Sequence, residues 1–138
     1  MPLRLTVVTP EGTTYDGPAE SVLLPGSEGD FGVLPDHERF LTPLRVGEAV
    51  ATIDGETRYA SVAEGFADVS AEAVVVMAES CELAADIDVA RAEVAQSRAE
   101  QNLAQLDVTP DEVRRAEFQA ALNRARNRLA VSRKASGG

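Results

Sequence analysis

Between Asp86 and Ser136 the chain has no glycine and one proline, whereas residues 1–84 hold eight glycines and six prolines. That contrast limits the fold more than any other feature. Glycine and proline end regular structure, so the first part is restricted to short elements joined by turns. The second part is dominated by alanine, arginine, glutamate and glutamine, which favour helix. The fold class expected is α+β: an all-β domain over residues 1–84 and an α-helical hairpin over residues 85–138. With 44 % apolar residues, the chain has enough material for a core.

Seven strands can be read in the first part, over residues 3–8, 19–24, 31–34, 49–53, 57–63, 65–69 and 73–77. Asp54-Gly55 between the fourth and fifth is a two-residue hairpin turn, in which both central positions need positive φ. Many short strands without intervening helices predict a sandwich or barrel. In the second part, Ala92, Ala95, Ala99, Leu103 and Leu106 recur at helical spacing. Asp107-Val108 interrupts that stripe. Thr109, Pro110 and Glu112 then read as a cap, a first-turn proline and the closing residue of a capping box. Phe118, Leu122, Ala125 and Leu129 form the stripe of a second helix, and the short connection makes the pair antiparallel. Both stripes are narrow and rich in alanine. Little apolar area is buried, so the hairpin is expected to be held weakly and to be able to leave its docking site.

Charge divides the chain in the same place. Residues 1–84 carry four Arg/Lys against fifteen Asp/Glu, and residues 85–138 carry nine against eight. Past Glu117 stand Arg124, Arg126, Arg128, Arg133 and Lys134, with no acid among them. This basic end complements the helix dipole and also suits an acidic protein surface. Nucleic acid is disfavoured as a partner, because the net charge is −10 and aromatic residues are 4 %. The longest apolar run, residues 73–78, is far short of a membrane span, and the N-terminus lacks the pattern of a signal peptide. Membrane association is expected only through a partner.

No catalytic arrangement emerges. His37 is the only histidine and Cys81 the only cysteine, too few for the usual zinc sites; His37 reads as a loop residue and Cys81 as an inert thiol. There is no phosphate-binding glycine loop and no Gly-x-Ser-x-Gly elbow. The arginines offer more. Asp88, Arg91 and Arg98 lie near one face of the first helix, and Arg124 and Arg128 are four apart on the second. An antiparallel hairpin places Arg91 opposite Arg124 and Asp88 opposite Arg128. Converging guanidinium groups suit a polyphosphate; a solvated face laced with salt bridges to Asp88 and Glu117 is the plainer alternative.

Four segments, in order, resemble the ε subunit family of bacterial and chloroplast F-type ATP synthases. They are Leu5-Thr6-Val7-Val8-Thr9-Pro10-Glu11-Gly12, the loop from Gly26 through Glu28, Gly29, Asp30 and Phe31 to His37, Glu64-Gly65-Phe66-Ala67-Asp68-Val69, and Ile87-Asp88-Val89-Ala90-Arg91-Ala92. The resemblance implies a flattened ten-strand antiparallel β-sandwich with a two-helix C-terminal domain. It implies a non-catalytic rotor subunit of a proton-translocating enzyme, with the sandwich joining the γ subunit to the c-ring and Glu28, Gly29, Asp30, Phe31 and His37 in the contact loop. The helices would move between a compact and an extended state. Extended, they would inhibit ATP hydrolysis by bringing Arg124, Arg126, Arg128, Arg133 and Lys134 to the catalytic α/β subunits. No cofactor is implied as a requirement, but ATP is a possible regulatory ligand of the compact hairpin, at Glu82, Ile87, Asp88, Arg91, Ala92, Arg98, Arg124 and Arg128. The location implied is peripheral, on the cytoplasmic face of a bacterial plasma membrane, with the stromal side of a thylakoid as the alternative. A free-standing nucleotide sensor and a β-sandwich adaptor with an acid-binding tail remain as functions of other kinds.

Overall fold

The computed structural model describes residues 2–35, 38–106 and 111–136. Ten strands come first: β1 (Leu3–Thr9), β2 (Gly12–Ala19), β3 (Ser21–Gly26), β4 (Gly29–Val33), β5 (Phe40–Leu44), β6 (Gly47–Ile53), β7 (Glu56–Val62), β8 (Gly65–Val69), β9 (Ala73–Ala78) and β10 (Cys81–Leu83). One 3-10 turn, Ala84–Asp86, leads to helices α1 (Val89–Leu106) and α2 (Glu112–Ser136). The β-sandwich followed by two helices is the fold expected from the sequence.

The strands form one sheet in the order β10-β7-β6-β3-β5-β8-β9-β1-β2, with β4 paired to β3 outside that path. It folds over on itself, and the inward residues of both layers make the core. Alternation is clear where strands face that core: Leu3, Leu5 and Val7 on β1 and Val74, Val76 and Ala78 on β9 are all buried. Among the described residues all pairings are antiparallel except one. β1 runs parallel to β9, with Arg4 opposite Ala73 and Val8 opposite Met77. Asp54 and Gly55 take φ values of 52° and 77°, the pair of positive angles that the β6–β7 turn demands.

Three strands escaped the sequence reading: β2, β5 and β10. β2 is an exposed edge strand containing Gly17 and Pro18. β5 carries Pro43 near its end, and β10 has only three residues. Thr109 and Pro110 lie outside the described residues. Among the described ones, Asp111 starts α2, its Oδ1 accepting from the Arg114 backbone N–H at 3.2 Å. Asp88 does the same for α1, accepting from the Arg91 N–H at 3.0 Å.

Candidate functional site

The helices pack on each other, and α2 also lies on β6, β7 and the 3-10 turn. The buried positions Ala92, Ala99 and Leu106 of α1, with Leu122 and Ala125 of α2, belong to the alanine-rich stripes expected from the sequence. A second face of α2 turns to the sandwich. Its apolar anchor is Val131, 1 % exposed, which joins Ala84 and Ile87 in a small satellite core backed by Tyr59. Burying a valine of this kind stabilises docking by about 1.5–3 kcal/mol.

Polar contacts surround that anchor. Asn127 Nδ2 donates to the Gly47 carbonyl at 2.8 Å and to Ser61 Oγ at 2.9 Å. Ser61 is buried, so the first of these elements to leave would open its hydroxyl to water. Arg128 Nε meets Glu82 Oε1 at 2.5 Å, Arg124 meets Glu64 at 3.5 Å, and Lys134 meets Glu48 at 3.8 Å. Lys134 Nζ also stands 4.8 Å from the centre of the Tyr59 ring. Three cations of α2 therefore rest on three glutamates of the β-domain. Each such half-exposed pair contributes at most about 1 kcal/mol, so the docking is collective. Arg126 is exposed beside the groove between α2 and the sandwich, and Arg133 is exposed on the last turn.

The residues expected around a nucleotide are partly brought together. Glu82 and Arg128 are in direct contact. Ile87 is in the satellite core, and Ala92 is buried on α1. Asp88 caps α1 and does not bridge to Arg128, whose carboxylate partner is Glu82. Arg124 likewise pairs with Glu64 of the sandwich and not with a group on α1. Arg91 and Arg98 are exposed along α1.

The expected contact loop is the tip of the β3–β4 hairpin. Gly26 opposes Gly29, leaving Ser27 and Glu28 at the turn, both exposed. Asp30 forms an ion pair with Arg45, and Phe31 meets Phe40 edge to face with centroids 5.3 Å apart. His37 lies outside the described residues. A surface that the sequence reading missed adjoins these strands: the register lines up Pro43, Phe66, Met77 and Val8 across β5, β8, β9 and β1. Phe66 is 51 % exposed and Met77 43 %, an apolar row on the outside of the sheet. Their outward positions on alternating strands were the signal available for it. Burial, with the neighbouring Glu82 charge second, pushes the Cys81 thiol up to about 11, which disfavours the thiolate. No helix among the described residues is long and apolar enough to cross a membrane.

Comparison with known proteins settles the family. Residues 2–84 match the model of the ATP synthase delta/epsilon chain β-sandwich domain, and residues 85–133 match that of the long α-helix domain of the same chain. The chain belongs to the ATP synthase delta/epsilon chain family. An epsilon chain of Nitratidesulfovibrio vulgaris is 45 % identical over 94 % of both chains, and one of Syntrophobacter fumaroxidans is 41 % identical over 96 % of both. The epsilon chain of Bacillus velezensis is 39 % identical over 94 % of this chain and 96 % of its own. The fold is also that of a chain in the Euglena gracilis mitochondrial ATP synthase, with a TM-score of 0.76 at 21 % identity, covering 99 % of this chain and 82 % of the other. An epsilon chain is a subunit of the synthase and not a catalyst by itself.

Proposed function

We propose that this epsilon chain is a central-stalk coupling subunit of a proton-translocating ATP synthase, and that its hairpin restrains ATP hydrolysis. In this reading the sandwich joins γ to the c-ring through the β3–β4 tip and the apolar row of Pro43, Phe66 and Met77. Partly exposed apolar rows on a sheet are ready-made contact surfaces. The chain sits peripherally on the cytoplasmic face of the bacterial plasma membrane, held there by the complex.

The observation that carries the regulatory part is the seating of Arg124, Arg128 and Lys134 on Glu64, Glu82 and Glu48. Here the sandwich itself supplies the acidic surface that the basic helix end suits. An acidic surface on the catalytic α/β subunits competes for the same cations, so compact and extended states exclude each other. The test is ATP hydrolysis by the complex with and without residues 85–138. Hydrolysis rises several-fold on removal, while the truncated chain still co-purifies with γ. Loss of assembly would move the coupling role into the helices and overturn this division of labour.

Nucleotide binding is a separable part of the proposal. Glu82 and Arg128 already meet, and Ile87, Asp88, Arg91 and Ala92 follow Glu82 closely along the chain. Arg98 and Arg124 complete the cationic set. ATP bound there favours the compact state by mass action. Calorimetry of the isolated chain at millimolar ATP is expected to give a binding heat that disappears in Arg91→Ala and Arg128→Ala. No heat with the unaltered chain would retire the nucleotide site and leave the coupling role intact.

A further inference from the structure

The sandwich encloses a cavity of about 110 Å³ between its two layers. One wall is small because β6 and β7 place Ala49, Ala51 and Ala60 on their inner faces, and Val22 and Leu24 of β3 continue it; the opposite wall is Leu5 and Val7 of β1 with Val76 of β9. Among the described residues the sheet does not close: β2 and β10 are the two ends of its main path, and β4 branches from β3. Thr14 of β2 and Arg58 of β7 line the same cavity and are exposed, so its mouth lies on that side.

Polar groups on the lining have partners elsewhere. The Tyr15 hydroxyl donates to the Pro18 carbonyl at 2.7 Å, and Arg58 pairs with Glu56 at 3.5 Å. A water held inside needs about two to four polar partners; beyond the Thr14 hydroxyl at the mouth and the Cys81 thiol, the remaining lining is aliphatic. Apolar cavities of similar size, about 150 Å³, stay dry and take up benzene or xenon. We infer that the sandwich interior is a binding site for a compact hydrocarbon of about benzene's size, entered between β2 and β10. The site lies beneath β6 and β7, the strands whose outer side carries α2. It is separate from the arginine-lined surfaces and takes a ligand of opposite chemistry.

The experiment is methyl NMR of the full chain titrated with benzene. Saturable shifts are expected at the methyls of Val22, Leu24, Val62 and Val76, with none at Val131. Ala51→Ile fills the space and abolishes them; should that variant fail to fold, Ala49→Val serves the same end with one fewer carbon. Absence of shifts at the core methyls overturns the site. So do shifts confined to the methyls of Met77 and Val8 in the outer row, or shifts that persist unchanged in the filled variant.

Discussion

Gly65→Ala is expected to destabilise the sandwich by about 3 kcal/mol or more, lowering its melting midpoint by about 10 °C or abolishing folding. A methyl group at this position would stand 1.9 Å from the Met77 carbonyl oxygen, 2.7 Å from the Ala78 Cα and 2.9 Å from the Met77 carbonyl carbon. All three are backbone atoms of β9, to which β8 is paired, so no side chain can swing aside. Relief requires the strands to part at the Gly65–Ala78 end. Ala67, Val69, Val74 and Val76 then lose the register that buries them. Gly32→Ala is the control: a Cβ there meets nothing within 4 Å. Thermal or urea unfolding followed by circular dichroism checks both. A Gly65→Ala protein as stable as the Gly32→Ala control would show that β8 and β9 do not approach this closely.

Val131→Asp is expected to release α2 from the sandwich while both domains remain folded. It places a carboxylate in the satellite core of Ala84 and Ile87, beside the already engaged pair of Arg128 and Glu82. An unpaired buried charge costs about 3 kcal/mol or more, which shifts the docked-to-released ratio by roughly 100-fold. Half-exposed ion pairs cannot offset that. Hydrogen exchange of the isolated chain reads the result directly: protection falls across residues 112–136 and stays high in β1, β8 and β9. In the assembled enzyme, the proposed braking role makes ATP hydrolysis slower in this variant, opposite in sign to removal of residues 85–138. Unchanged protection in α2 would mean that Val131 is not the anchor.

The sequence disclosed those parts of the fold in which local pattern and burial agree. β1 alternates because one side faces the core, β9 shows as the longest apolar run, and the Asp54-Gly55 turn announces itself because few residues tolerate its angles. β2 was silent for the opposite reason: as an exposed edge strand it has no apolar alternation to display. Pro43 reads as a breaker, but it is tolerated in β5. The site was legible as a set of residue types and not as a set of contacts. Arg124, Arg128 and Lys134 stood out by charge, yet their partners Glu64, Glu82 and Glu48 are far away in sequence, and nothing local marks them among fifteen acids. Helical spacing placed Arg124 and Arg128 across from α1; the rotation of α2 about its axis turns them to the sandwich instead. That rotation is set by Val131 and Asn127, which lie off the Phe118-to-Leu129 stripe and were therefore passed over.

The parallel pairing of β1 with β9 bears on how the chain comes to be folded. β1 has an early neighbour in β2, and the two can form a hairpin as soon as they leave the ribosome. Its other edge waits for residues 73–77. Such distant, parallel pairings are slow to form, and an edge left open in the meantime is prone to join other chains. The order of completion is thus nearly the reverse of the order of synthesis for this strand. A chain arrested before residue 73 holds a hairpin with one bare edge, and α2 cannot find its seat until β6 and β7 are part of a finished sheet.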